Sequence, residues 1–159
     1  MPHIEFIKRI PTALEQDSYF DVNKQNLIVS DDQMIDASKD KRIVNLFTPG
    51  SHHRNLSEIY IAQNLFHQGM GSRSISLNDH YLLLFKNPRD KLQNAILAKQ
   101  MYPGQTYFFI NQYEESVKRP FGYLLIDIKT TTQDNCSLLK NLLPSEEGLN
   151  QAGYQENIP

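Results

Sequence analysis

Apolar residues along this chain fall into short runs separated by mixed polar stretches, and the spacing of the runs predicts strands alternating with helices. Ile4-Glu5-Phe6-Ile7 predicts a short strand stopped by Pro11. Residues 12 to 25 are polar and mixed and predict a loop or one weak helical turn. Leu27-Ile28-Val29-Ser30 is apolar and β-branched, as a buried strand requires. Asp36 can cap a helix over residues 37 to 47, with Ile43, Val44, Leu46 and Phe47 on one side. Pro49-Gly50 stops it. Ile59-Tyr60-Ile61-Ala62 predicts a second buried strand, and Ser74 to Leu77 an extended stretch.

Tyr81 to Lys86 contains the most apolar run of the chain, Leu82-Leu83-Leu84-Phe85, which predicts a strand at the centre of a sheet. Asn87-Pro88 suits a helix start, and the helix to about Gln100 is expected to turn Leu92, Ala95 and Ile96 inward. Pro103-Gly104 breaks it. A further helix over about 106 to 118 carries Phe109, Tyr113 and Val117. Phe121 to Ile128, with Leu124, Leu125 and Ile126, predicts the last strand. Strands alternating with helices imply an α/β domain with a mainly parallel sheet over residues 1–140. Residues 141–159, polar and acidic at Glu146 and Glu147, read as a disordered tail.

Composition narrows the classes. Hydrophobic residues are 40% and charged residues 21%, the balance of a folded soluble domain. The formal net charge of -2 argues against a strongly basic nucleic-acid-binding module. Cys136 is the single cysteine, so no internal disulfide forms, and a reducing intracellular compartment, nuclear or cytoplasmic, is the natural setting. No segment reaches the roughly 20 apolar residues of a membrane span. His52, His53 and His67 lack the spacing of zinc ligands.

In a parallel sheet, functional groups gather at the carboxyl ends of the strands. Three predicted strands end in suitable groups: Asp31-Asp32, Gln63-Asn64 and Lys86-Asn87. An apolar strand tipped by two carboxylates follows the logic of a Walker B motif. One carboxylate orients Mg²⁺ and the next positions the attacking water. The plainer alternative is a strand followed by an Asp-rich helix cap.

Ser51-His52-His53-Arg54-Asn55, Gln63-Asn64-Leu65-Phe66-His67-Gln68-Gly69, Ser72-Arg73-Ser74-Ile75-Ser76-Leu77-Asn78 and Phe85-Lys86-Asn87-Pro88-Arg89-Asp90 follow the two aspartates in order. From Asn26 to Lys129 the chain resembles the DNA-packaging ATPases of large DNA viruses and of Polinton-type, virus-derived mobile elements. These are similar to the poxvirus packaging ATPase, in the FtsK/HerA-like division of P-loop NTPases. The resemblance implies a three-layer fold in which Asp31 orients Mg²⁺, Asp32 activates water and Gln63 senses the γ-phosphate of ATP. An amide suits a sensor because it both donates and accepts. Arg54 is either an arginine finger reaching a neighbouring subunit or a solvated loop charge. Arg73 and Lys86 are weaker candidates for phosphate or nucleic-acid contact, against an ordinary surface role.

The same resemblance implies a Gly-x-x-x-x-Gly-Lys-Ser/Thr loop to cradle phosphate, and this chain has no Gly-Lys dipeptide. The family places that loop before the region matching Ile4 to Phe6. The expected fold is therefore an incomplete P-loop NTPase without the first strand and phosphate loop, and Tyr81 to Phe85 is a candidate to close the gap beside the strand ending at Gln63. Two functions follow. One is a packaging-ATPase fragment that does not hold ATP tightly or hydrolyse it alone. The other is a non-catalytic assembly module that associates with full-length ATPase subunits or with itself. DNA is the family's substrate, and no membrane is implied.

Overall fold

The computed structural model describes residues 4–8, 10–14, 16–31, 41–46, 55–66, 76–133, 136–142 and 150–151. The chain divides into two compact units, Met1–Asn78 and Asp79–Pro159.

The first unit is built on one parallel strand pair. Strand β1 (Asn26–Ser30) lies beside β2 (Leu56–Tyr60), and helix α1 (Lys41–Leu46) lies in the connection between them. The register runs from Asn26 opposite Leu56 to Ser30 opposite Tyr60. Alternation then sorts the side chains. Ile28, Leu56 and Tyr60 turn to a small core of Leu14, Phe20 and Leu46, joined by Ile10. Arg42 ties α1 to this core's amino-terminal arm by donating to the carbonyls of Pro11 (3.0 Å) and Ile10 (3.4 Å). Leu27, Val29 and Ile59 on the opposite face are exposed, as is Ile61 just beyond β2.

The second unit is a four-stranded antiparallel sheet carrying two helices. Strands β3 (Tyr81–Phe85), β4 (Tyr123–Asp127), β5 (Leu138–Lys140) and β6 (Asn150–Gln151) lie in that order. Helices α2 (Leu92–Met101) and α3 (Thr106–Ser116) connect β3 to β4. Phe109, Leu124 and Ile126 are fully buried. The Tyr102 and Phe109 rings meet at 5.6 Å between centroids. Tyr113 reaches from α3 to β3, its hydroxyl donating to the Phe85 carbonyl at 3.0 Å.

The helix predicted over about 106 to 118 is realised as α3, with Phe109 and Tyr113 buried on it and Val117 buried just past its end. The break at Pro103-Gly104 is also realised. Gly104 adopts φ +86°, open to glycine without strain, and Gln105 N–H closes the turn on the Tyr102 carbonyl at 3.0 Å.

Several expectations are corrected. The mixed α/β class holds, but the sheet structure is not mainly parallel: among the described residues the first unit has one parallel pair and the second an antiparallel sheet of four strands. Leu82 to Phe85 is not central, because β3 is an edge strand and β4 and β5 are the interior ones. Tyr81–Phe85, the candidate to close the gap beside the strand ending at Gln63, finds its ladder partner within the second unit. It pairs with β4, Tyr81 opposite Asp127 and Phe85 opposite Tyr123. Ile4 to Ile7 forms no strand, and both Ile4 and Phe6 are exposed. Residues 76–78 are helical rather than extended.

Helix α2 starts late. Asn87 holds an Asx turn by accepting the Arg89 N–H, and Asp90 takes the N–H of Gln93, so regular helix begins at Leu92. Its buried residues are Asn94, Leu97 and Ala98, whereas Leu92 and Ile96 are exposed. Apolar residues surround this helix on all sides, so its own periodicity does not choose a face. The helix predicted over 37 to 47 is described only as α1. Of the predicted tail, residues 141, 142, 150 and 151 are described, and the last two form β6.

Candidate functional site

The amino end of the parallel pair is built by asparagines. Asn55 adopts φ +46°, a conformation that asparagine tolerates, and its carbonyl accepts the Asn26 N–H at 2.9 Å. Asn55 Nδ2 donates to the Val22 carbonyl at 2.6 Å, and Asn26 Nδ2 donates to the carbonyls of Asp21 and Lys24. Asp21 folds the preceding turn by accepting the Asn23 N–H and pairing with Lys24 at 2.9 Å. These bonds set the register in which both strands run out together.

The carboxyl end is the rim of interest. Pairing continues one step past the strands, where Ile61 N–H donates to the Ser30 carbonyl at 2.9 Å. Asp31 leaves β1 at this point and is exposed. Gln63 follows β2 by three residues and is also exposed, in a bend. Asn64 shapes that bend by accepting the Phe66 N–H at 2.9 Å. The pairing brings the exits carrying Asp31 and Gln63 to the same end of one parallel pair. Asp32 and Arg54, and likewise Arg73, lie outside the described residues. Lys86, exposed, belongs to the second unit.

Among the described residues, no group of three His, Cys, Asp or Glu side chains could hold a metal ion. Asp31, the carboxylate described at this strand tip, does not by itself make a cage. It fits Mg²⁺ that keeps its waters and takes other ligands from phosphate.

The second unit holds a polar cleft that the sequence reading did not single out. It measures about 390 Å³ and is lined by the end of α2, Gln105, and the turn from Asp127 to Thr132 with Ser137. Asp127 accepts the Lys129 N–H at 3.1 Å and pairs with its ammonium at 3.4 Å. Burial pushes the Asp127 carboxyl up, but the Lys129 N–H, the Thr132 hydroxyl and the Lys129 charge together hold it below the usual range. Lys129 also donates to the Tyr81 hydroxyl at 2.6 Å, and that bond, with Asp127, holds its ammonium above the usual lysine range. Tyr102 and Ser137 hydrogen-bond through their hydroxyls. The charges here neutralise one another, which suits a structural turn better than acid or base catalysis. The only local signal was Asp127-x-Lys129 after an apolar strand. The Tyr102–Ser137 pair, far apart in the chain, left none.

No protein-family profile, curated protein sequence or solved structure matches the chain.

Proposed function

We propose that this chain carries the carboxylate and sensor side of the nucleotide site of a DNA-packaging ATPase from a virus or virus-derived mobile element. One observation supports the reading above others: β1 and β2 are adjacent, parallel and in register, so Asp31 and the segment bearing Gln63 leave the sheet at the same end. That is where open α/β sheets carry ligands. In this reading Asp31 orients a hydrated Mg²⁺, Gln63 hydrogen-bonds the terminal phosphate, Asp32 activates water and Arg54 serves an adjoining subunit. The Mg²⁺, when bound with ATP, neutralises phosphate charge. The chain has no Gly-Lys loop, so it does not supply the backbone cradle for that phosphate.

The purified chain with Mg²⁺ and ATP is therefore expected to release no phosphate. It is expected to bind nucleotide no tighter than about 1 mM, near 4 kcal/mol. Adding a packaging-ATPase fragment that carries the phosphate loop is expected to restore slow hydrolysis, and Asp31→Asn to remove it. Turnover by the chain alone, or restored hydrolysis indifferent to Asp31→Asn, overturns the proposal.

A second reading is an assembly module for a full-length ATPase. The exposed outer face of Leu27, Val29, Ile59 and Ile61 favours it, because parallel strands are ordinarily covered on both faces. Co-sedimentation with an intact ATPase, with no turnover by this chain and none restored by the loop-bearing fragment, selects this reading.

A further inference from the structure

Strand β3 ends the antiparallel sheet, and among the described residues nothing pairs with its outer edge. The ladder phase shows which groups face that edge. Ile128 N–H donates to the His80 carbonyl at 3.0 Å, so His80 and Ile128 form a hydrogen-bonded pair. Antiparallel pairs alternate, so Leu82 with Ile126 and Leu84 with Leu124 are the next bonded pairs. The backbone N–H and C=O groups of Tyr81, Leu83 and Phe85 therefore point away from β4, to the open edge. The Phe85 carbonyl already accepts from Tyr113 and keeps a second lone pair.

The side chains of the same three residues are exposed: Tyr81 by 49%, Leu83 by 45% and Phe85 by 57%. Natural edges are usually blunted by proline, an inward charge or a bulge. The run Tyr81-Leu82-Leu83-Leu84-Phe85 contains neither proline nor charge, and its pairing with β4 is unbroken. It is also close to symmetric about Leu83. Turned antiparallel against itself, it sets Leu83 opposite Leu83 and Tyr81 opposite Phe85, an aromatic cross-strand pair. The Tyr81 ring is already oriented, with the Lys129 ammonium 4.6 Å from its centroid. Charge agrees with the same arrangement. Asp79 precedes the strand and Lys86 follows it, so antiparallel pairing brings each Lys86 opposite His80 of the other copy and one position from its half-buried Asp79 carboxyl, twice over.

We propose that two copies of this chain join β3 to β3, antiparallel and centred on Leu83, forming a symmetric dimer with one continuous sheet. The three facing pairs exchange about six backbone hydrogen bonds. A twofold contact of this kind closes on itself and stops at two copies. The contact lies within the second unit and does not depend on the nucleotide-site reading.

Sedimentation of the full chain across the micromolar range tests it. The unaltered chain is expected to form a reversible dimer. Leu83→Lys and Leu83→Glu are each expected to be monomers with unchanged circular dichroism, since both place like charges at the axis. Mixing the two variants is expected to restore a dimer that contains one of each. If Leu83→Lys fails to fold, Phe85→Glu carries the same test. A monomer at all concentrations, a dimer unaffected by these changes, or open-ended growth into larger particles overturns the proposal.

Discussion

The two units place strength and chemistry in different parts of the chain. In the second unit, α3 packs on β4, and Phe109, Leu124 and Ile126 are wholly removed from water. The first unit has two five-residue parallel strands over Leu14, Phe20 and Leu46, with an apolar outer face left open. Yet the first unit holds Asp31 and Gln63, the groups to which the proposed function assigns chemistry. Antiparallel strands find their partners through short turns and can leave one face in water, whereas parallel strands need crossovers and cover on both faces. A ligand site on a parallel rim is ordinarily backed by layers on both faces.

The largest expected effect contrasts the two cores. Phe109→Ala is expected to destabilise the second unit by about 3–5 kcal/mol. Leu14→Ala is expected to cost the first unit about 2–3 kcal/mol, because its surroundings collapse more easily. Hydrogen exchange read segment by segment should show each loss confined to its own unit. If either change opens both units together, they form one cooperative body and the contrast fails.

Gly122→Ala is expected next, at about 1–3 kcal/mol, confined to the second unit. A Cβ there would overlap the Ser116 carbonyl oxygen, a backbone atom at the end of α3 that cannot step aside. Denaturant melts of the two proteins provide the measurement. An unchanged midpoint would mean that the end of α3 adapts, weakening the picture of a tightly specified second unit.

Asp79, at the start of the second unit, sharpens the comparison through pH. Burial pushes its carboxyl from 3.8 up to about 6. Between those values the folded chain holds the proton while the unfolded chain has released it. This group's contribution to stability therefore falls as pH rises from about 4 to 6 and stays reduced above that. Asp21 and Asp127, held below the usual range, act with the opposite sign at lower pH. Asp79→Asn is expected to raise the melting temperature at pH 7 and to have little effect near pH 4. An equal shift at both values would count against burial as the cause.

The smallest expected effect concerns Phe121, which is almost fully exposed and sits at φ +60°, a costly backbone region for a bulky residue. Phe121→Gly relieves that strain and is expected to stabilise the second unit by about 1 kcal/mol in a denaturant melt. A loss of stability instead would show that the phenyl ring contributes more than the strain it imposes.

Much of the second unit was legible because its patterns are local. Phe109, Tyr113 and Val117 mark one helical face by spacing alone, and Gly104 marks a left-handed turn by its chemistry. The face of α2 was not legible. Leu92, Ile96, Leu97 and Ala98 are all apolar, and only contact with the rest of the unit selects Leu97 and Ala98. Of the candidate site, Asp31 and Gln63 were visible as polar residues after apolar runs, and their shared end of the sheet follows from β1–β2 pairing. The Asp127–Lys129–Tyr81 cluster was hidden, since its members meet only when β3 lies beside β4.

Composition and periodicity alone establish that strands form around Leu27–Ser30, Tyr81–Phe85 and Leu124–Ile126, that no disulfide can form within the chain, and which apolar runs are followed by carboxylate or amide. They do so because propensity, charge and side-chain facing act over a few residues. Tertiary structure decides that β1 and β2 are parallel, that β3 stands at an edge and that β4 is enclosed. Strand pairing is a contact between distant segments, and an apolar run records its wish to leave water without recording which neighbour removes it.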